Sequence, residues 1–225
     1  MPARPARRSR RPAAAPAPLA DRLVAVVDSI LEHEGLAGLG LREVARRAGV
    51  THGAPLRHYR SFAELLSEVA AAGFRELAVA VDEAAARVPP ASGPTARVAA
   101  AARAYVGCAT ARPGRFALMF RPELLDPAHP GFQREANAAF EQLVRLVRGA
   151  QDAGFRSDAD PRRLAGALWA GVHGLATLWS QDSYATVVRV ASLDDAASDL
   201  IELLTGTPPP ATSKRAHPHT EERTP

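Results

Sequence analysis

The sequence predicts an all-α protein, and two features of the chain favour this class. Apolar side chains recur at spacings of three and four residues through segments dominated by Ala, Leu, Val, Arg and Glu, which is the pattern of helices with one buried face. Alternating apolar and polar runs bounded by turn residues, which would indicate strands, are hard to find. With 225 residues, 47% of them hydrophobic, the chain is long enough for one large core or for two smaller ones.

The predicted helices follow one another between glycine and proline breaks. Residues 21–33 carry an apolar stripe that ends at Gly35. Thr51 is a candidate cap for a third short helix, and Ser61 opens a fourth with a capping box. The helices predicted on this basis span residues 21–33, 41–48, 51–59, 61–87, 95–110, 115–120, 131–153, 161–181 and 193–204.

Composition excludes several classes of protein. No stretch approaches the roughly 18 apolar residues that a membrane-spanning helix needs, and the first residues lack the apolar run of a signal peptide, so we expect a soluble cytoplasmic protein with no membrane partner. Cys108 is the only cysteine, which excludes an intramolecular disulfide and a multi-cysteine zinc site. No spacing of His, Cys, Asp or Glu resembles a metal site, and no cofactor is expected.

Both ends of the chain are predicted to be disordered tails. Residues 1–18 contain five arginines interrupted by prolines, and this basic tail either follows a DNA backbone or only adds solubility. Residues 207–225 are rich in proline and have no periodic apolar pattern. We assign no function to this second tail.

The two short helices at residues 41–48 and 51–59 have the arrangement of a helix-turn-helix. The small side chain of Ala45 lets the second helix approach the first, and Gly49 permits the positive φ of a tight turn between them. The polar face of the pair is strongly basic, with Arg42, Arg46, Arg47, Arg57 and Arg60 against the single acid Glu43. A basic face on a helix-turn-helix predicts binding to double-stranded DNA.

The segment from Leu41 to Leu66, LREVARRAGVTHGAPLRHYRSFAELL, resembles the DNA-binding signature of TetR-family repressors. A Trp-x-x-x-His-Gly pattern at residues 169–174 is similar to that of one branch of this family. The resemblance implies a three-helix DNA-binding domain at residues 19–79 and a helical ligand-binding and dimerisation domain at residues 80–206. It makes residues 51–59 the recognition helix. The residues expected near DNA are Arg42, Thr51, His52, Gly53, Ala54, Leu56, Arg57, His58 and Tyr59.

The C-terminal half concentrates bulky apolar side chains, which either enclose a ligand cavity or simply pack a core. The candidate ligand-pocket residues are Phe116, Met119, Phe120, Phe140, Trp169 and His173. For His173, a structural hydrogen-bonding role competes with a role in ligand binding or pH response. The resemblance implies a homodimer formed through the last two long helices, with apolar area from Leu164, Leu168, Leu175, Leu178, Leu200, Ile201, Leu203 and Leu204.

These observations predict a ligand-responsive DNA-binding regulator, in particular a repressor that binds a near-palindromic operator as a homodimer and is released by a small-molecule effector. An enzyme is not expected, because the sequence shows no nucleophile with a base, no paired carboxylates and no phosphate-binding loop. A nonspecific architectural DNA-binding protein is the alternative. Such a protein would account for the arginine tail but not for a ligand-sized helical domain.

Overall fold

The computed structural model describes residues 18–181 and 183–206, and this part of the chain is helical with no strand. The all-α class is therefore confirmed. The predictions for the arginine tail and the C-terminal tail concern residues that lie almost entirely outside the described ranges. The helices are α1 (Leu19–Glu34), α2 (Leu41–Arg47), α3 (Phe62–Ala86), α4 (Ala96–Ala111), α5 (Pro113–Met119), α6 (Pro130–Asp152), α7 (Pro161–Ser180), α8 (Ser183–Val188) and α9 (Leu193–Thr205).

Side-chain caps fix the starts of α3, α7 and α9. The Ser61 hydroxyl accepts a hydrogen bond from the backbone N–H of Glu64 at 3.1 Å, as the capping box predicts. The Glu64 carboxylate reaches back one residue further than in the usual box and accepts from the backbone N–H of Arg60. Asp160 and Ser192 cap α7 and α9 in the same way. These caps satisfy N–H groups that the first helical turn leaves unpaired.

Helices α1 and α2 pack with the first turns of α3 at one end of the main apolar core, which continues into the C-terminal helices. Leu23, Val27 and Ile30 of α1 are fully buried, as are Val44 of α2 and Val69 of α3. The Arg22 guanidinium donates to the backbone carbonyl of Ala48 at the end of α2, where the helix dipole favours a positive charge. This N-terminal unit therefore holds α2 and the segment after it in a fixed position.

Helix α3 connects the N-terminal unit to the rest of the molecule. Its 25 residues span about 37 Å and continue without a break through residues 79 and 80, where the sequence suggested a domain boundary. The helix packs against α1 near its start and against α4, α5 and α6 farther along. Helices α7 and α9 complete the C-terminal part by packing on α4. No helix in the described ranges is long and apolar enough to cross a membrane.

Helix α5 is short but lies between the two parts of the chain. It packs against α1, α3 and α4. The Arg115 side chain, only 8% exposed, donates from Nε to Asp28 Oδ1 of α1 at 2.7 Å and from Nη1 to Glu76 Oε1 of α3 at 2.6 Å. Its Nη2 also donates to the Asp28 carboxylate. Arg115 therefore ties α5 to both helices through a bidentate ion pair.

Candidate functional site

The segment after α2 does not form the predicted recognition helix over residues 51–59. Only Pro55–Arg57 forms a single turn of 3-10 helix, and a turn around Gly53 precedes it. The physical reason is local, because Gly53 lowers helix propensity and Pro55 has no N–H for a helical hydrogen bond. Gly49 adopts a φ of +68°, as predicted for the turn. The segment is thus a compact, exposed turn on the α2 scaffold.

We call the exposed side of α2 and of the segment that follows it, up to Arg60, the basic face; it carries the residues predicted to contact DNA and also the exposed Arg46, Arg47 and Arg60. Thr51, His52, Gly53, Leu56, Arg57, His58 and Arg42 are exposed, and Ala54 is half-buried. Tyr59 is also half-buried, since its ring packs against the apolar core. Burial and the nearby carboxylate of Glu68 raise the pKa of the Tyr59 hydroxyl. Tyr59 therefore has a structural role, and the part of its side chain that is not buried remains accessible at the surface.

Ion pairs divide the arginines of this surface into two groups. Glu43 accepts hydrogen bonds from both Arg46 and Arg47, and these bonds lower the pKa of its carboxyl to about 2. Arg60 pairs with Glu64 at 3.3 Å. Within the described ranges, Arg42 and Arg57 make no ion pair. Their positive charges are therefore the ones left available for an anionic partner.

A cavity of about 470 Å³ lies in the C-terminal part, between helices α3, α4, α6, α7 and α9 and the end of α5. Such a volume falls within the range of roughly 300–1,000 Å³ that is usual for small-molecule sites. Its wall is mainly apolar and includes the aromatic rings of Phe74, Phe120, Phe132 and Phe140. Exposed Asn137 also lines it, which places part of the wall at the protein surface.

Four of the six predicted pocket residues line this cavity: Met119, Phe120, Phe140 and Trp169. Phe116 and His173 do not. His173 lies behind the wall, with its ring centroid 4.5 Å from that of Phe120 and 5.6 Å from that of Phe116. Both residues therefore support the wall from behind, where they fill space between α4, α5 and α7.

A chain of hydrogen bonds fixes the orientation of Trp169. Its indole Nε1 donates to the Tyr105 hydroxyl at 3.1 Å, and that hydroxyl hydrogen-bonds to His173 Nδ1 at 2.8 Å. Burial lowers the pKa of the His173 imidazole and raises that of the Tyr105 hydroxyl, so both groups are neutral near pH 7. The geometry agrees with the structural alternative for His173.

Sequence reasoning missed most of the cavity residues, and among them Tyr105 and Gln142 carry polar groups. Tyr105 lines the cavity as well as joining the chain of hydrogen bonds. Gln142 lines it from α6, is only 4% exposed, and donates from Nε2 to the backbone carbonyl of Ala78 at 2.9 Å. Gln142 is a single polar residue on an otherwise apolar stripe that includes Ala139 and Leu146. This polar residue within an apolar stripe is the sequence signal that could have identified Gln142 as a cavity residue.

Comparison with known proteins identifies the family. The model of the tetracyclin repressor-like C-terminal domain matches residues 98–204. A solved protein of unknown function from Rhodococcus sp. RHA1 is 33% identical, with a TM-score of 0.73 over 85% of this chain and 95% of its own. The TetR-family regulator PfmR from Thermus thermophilus is 16% identical, with a TM-score of 0.63 over 83% of this chain and 98% of its own. The chain belongs to the TetR family of transcriptional regulators.

A third solved structure, the fatty acid degradation regulator FadR from Bacillus halodurans, is 12% identical to the chain. Its TM-score is 0.65 over 84% of this chain and 96% of its own, which shows the shared fold. No protein with a curated function matches the chain. TetR-family proteins are DNA-binding regulators and not enzymes, so membership agrees with the predicted class of function. The branch suggested by Trp169, His173 and Gly174 stays a prediction.

The described structure of this TetR-family chain corrects the expected apolar surface on α7 and α9. Leu164, Leu168, Leu175 and Ile201 are each at most 9% exposed and pack within their own chain. They pack inward because α7 and α9 share the core with α4, and Gly171 lets Leu204 of α9 approach α7 closely. Leu178 and Leu203 are 45% and 77% exposed. Only part of the predicted leucine set is thus available to a partner.

Proposed function

We propose that this TetR-family regulator is a repressor that binds a near-palindromic operator as a homodimer and leaves it when a small molecule occupies the cavity. The observation that carries the proposal is the combination, in one chain, of a basic face on which Arg42 and Arg57 form no ion pair among the described residues with an apolar, ligand-sized cavity. Because its target is chromosomal DNA, the proposed place of action is the cytoplasm. A purely architectural DNA-binding protein would have no need of the cavity.

Two arginines supply the proposed DNA contacts. The guanidinium of Arg57 is exposed at the end of the 3-10 turn, and such a group can donate two hydrogen bonds to guanine O6 and N7 or bind a phosphate. Arg42, in the first turn of α2, is suited to a phosphate. Thr51, His52 and His58 add exposed donors beside them. The short turn would present these groups to the major groove in place of a regular helix.

Exposed apolar residues on α7, α8 and α9 support a homodimer interface. Leu178, Val187, Val188 and Leu203 are between 45% and 78% exposed, which is unusual for large apolar side chains of one region. Gly166 and Gly174 have no atom near the position of a Cβ, so a partner helix could approach α7 closely there. Two copies would place two basic faces on successive major grooves of a near-palindromic site.

Helix α5 is the proposed link between cavity and DNA. Met119 and Phe120, at its end, line the cavity, whereas Gly114 and Arg115, at its start, contact α1. A ligand that displaces the Met119 end would move the start of α5 relative to α1. Such a shift changes the separation of the two basic faces, and the ligand then favours the conformation with lower DNA affinity.

The test is selection of bound sequences from a random DNA library by the purified protein, followed by affinity measurements on the selected DNA. We expect a short near-palindrome. Arg57→Ala should weaken its binding by about 1–3 kcal/mol for each half-site, because each subunit of the dimer loses one bidentate contact. The control is Arg97→Ala, which removes the same charge from an exposed position on α4 and should leave affinity nearly unchanged. Selection without any sequence preference would contradict the proposal and favour the architectural alternative.

A further inference from the structure

The cavity wall contains no charged side chain within the described ranges of the chain. Transfer of an anion or a cation from water into such a wall, without a partner of opposite charge, is strongly unfavourable. Six aromatic side chains line it and favour stacked and edge-to-face contacts with a ring: Phe74, Tyr105, Phe120, Phe132, Phe140 and Trp169. The wall therefore favours an uncharged molecule that contains rings.

Gln142 is a buried polar residue of the wall whose side-chain amide makes one hydrogen bond within the described part of the chain. Its amide orientation is determined, because only Nε2 can donate to the backbone carbonyl of Ala78. The amide oxygen, Oε1, is then left as an acceptor, and it has no hydrogen-bond partner among the described residues. Oε1 is not among the fully buried unpaired polar atoms of the described residues, so it is accessible from the cavity and can accept a hydrogen bond from a ligand there.

The other polar groups of the wall are already engaged or lie at the surface. The Tyr105 hydroxyl has two partners, Trp169 and His173. The Thr205 hydroxyl donates to the backbone carbonyl of Ile201 at 2.7 Å. Asn137 is exposed to solvent. Gln142 is therefore the position inside the cavity at which a ligand gains a hydrogen bond.

We propose that the effector is an uncharged, ring-containing molecule with one hydrogen-bond donor, such as a phenolic or alcoholic hydroxyl, that binds Gln142 Oε1. This inference rests on the proposed function, in which the cavity is the effector site. It excludes carboxylates and phosphorylated molecules as groups held inside the wall. The donor accounts for orientation and selectivity, and the rings account for most of the buried apolar area.

Three matched probes test the inference on the full-length protein by isothermal titration calorimetry at pH 7: trans-4-hydroxystilbene, trans-4-fluorostilbene and trans-stilbene-4-carboxylate. The hydroxyl and fluorine are similar in size, but only the hydroxyl donates. We expect the hydroxyl compound to bind about tenfold more tightly than the fluoro compound, which is the usual effect of one hydrogen bond. The carboxylate should bind about 100-fold more weakly than the hydroxyl compound.

Gln142→Met keeps the length of the side chain and removes the acceptor. In this variant the preference for hydroxyl over fluorine should disappear, whereas affinity for 4-fluorostilbene should be kept, which shows that the cavity is intact. If the variant is unstable, the wild-type comparison of the three probes decides alone. Equal binding of hydroxyl and fluoro probes by wild type, a carboxylate that binds as tightly as the hydroxyl probe, or no binding of any probe would overturn the inference.

A separate readout distinguishes this inference from the proposed function. The anisotropy of labelled operator DNA is measured while 4-hydroxystilbene is added. Binding of the probe with the predicted selectivity but without release of DNA would support the ligand class and contradict effector control. Release of DNA by the carboxylate probe alone would support effector control and overturn the ligand class.

Discussion

Replacement of Gly114 by alanine should separate α5 from α1. A Cβ at residue 114 would lie 2.0 Å from the carbonyl oxygen of Leu31, 2.7 Å from its carbonyl carbon and 3.2 Å from its Cα. Since real Cβ atoms essentially never come closer than 3.0 Å to other heavy atoms, the two backbones must move apart by about 1 Å. The same movement would stretch the ion pair between Arg115 and Asp28.

The expected cost follows from this clash. Forcing an extra carbon into a packed contact costs about 1–3 kcal/mol, which lowers the Tm of a chain of this size by roughly 2–12 °C. Operator affinity should fall as well, because α1 helps to hold the basic face in position. Calorimetry gives the Tm, and fluorescence anisotropy on the selected operator gives the affinity.

Gly107→Ala is the matched control for Gly114→Ala. Gly107 is exposed on α4 and has no heavy atom within 4 Å of the position of a Cβ. Alanine there should stabilise the helix by about 0.5–1 kcal/mol. If Gly114→Ala matched Gly107→Ala in Tm, the reasoning that α5 is packed directly on the α1 backbone would be refuted.

Two further predictions concern buried polar groups. Arg115→Met should destabilise the protein by about 2–4 kcal/mol in urea unfolding, since it leaves the Asp28 carboxylate without its ion-pair partner and leaves Glu76 paired with Arg112 alone. Addition of Asp28→Asn should recover part of the loss, and simple additivity of the two changes would contradict a direct ion pair. Burial lowers the pKa of His173 below its ordinary value of 6.5, so the unfolded chain takes up a proton at this residue more readily than the native protein does. The free energy of unfolding should therefore decrease as the pH falls below about 6.5. Urea unfolding between pH 7.5 and 5.5 should show a weaker pH dependence for His173→Gln, and an unchanged dependence would contradict this assignment.

The helices were predictable because their signals are local. Eight of the nine predicted helices match observed helices within two residues at each end, and the Ser61 capping box was read directly from the sequence. The short helix α8 was missed because Ser183–Val188 has only six residues and contains β-branched residues without a clear cap. The prediction of a helix over residues 51–59 was wrong, because it followed the helix-turn-helix motif although Gly53 has a low helix propensity and Pro55 has no backbone N–H.

The functional details depended on contacts between distant parts of the chain. Arg115 and Asp28 are 87 residues apart, and Tyr105 and His173 are 68 apart, so no local pattern announces either pair. The ligand cavity itself was predicted from the concentration of aromatic residues, but that signal does not separate residues that line a cavity from residues behind it. Phe116 and His173 illustrate this, since they lie behind the wall.

The central claim, sequence-specific DNA binding by the basic face, is tested most directly by comparing two duplexes at near-physiological salt. One is the selected operator, and the other has the same base composition in shuffled order. The account predicts that the operator binds at least about 10³-fold more tightly, as is typical of specific regulators. Equal affinities for the two duplexes would contradict it.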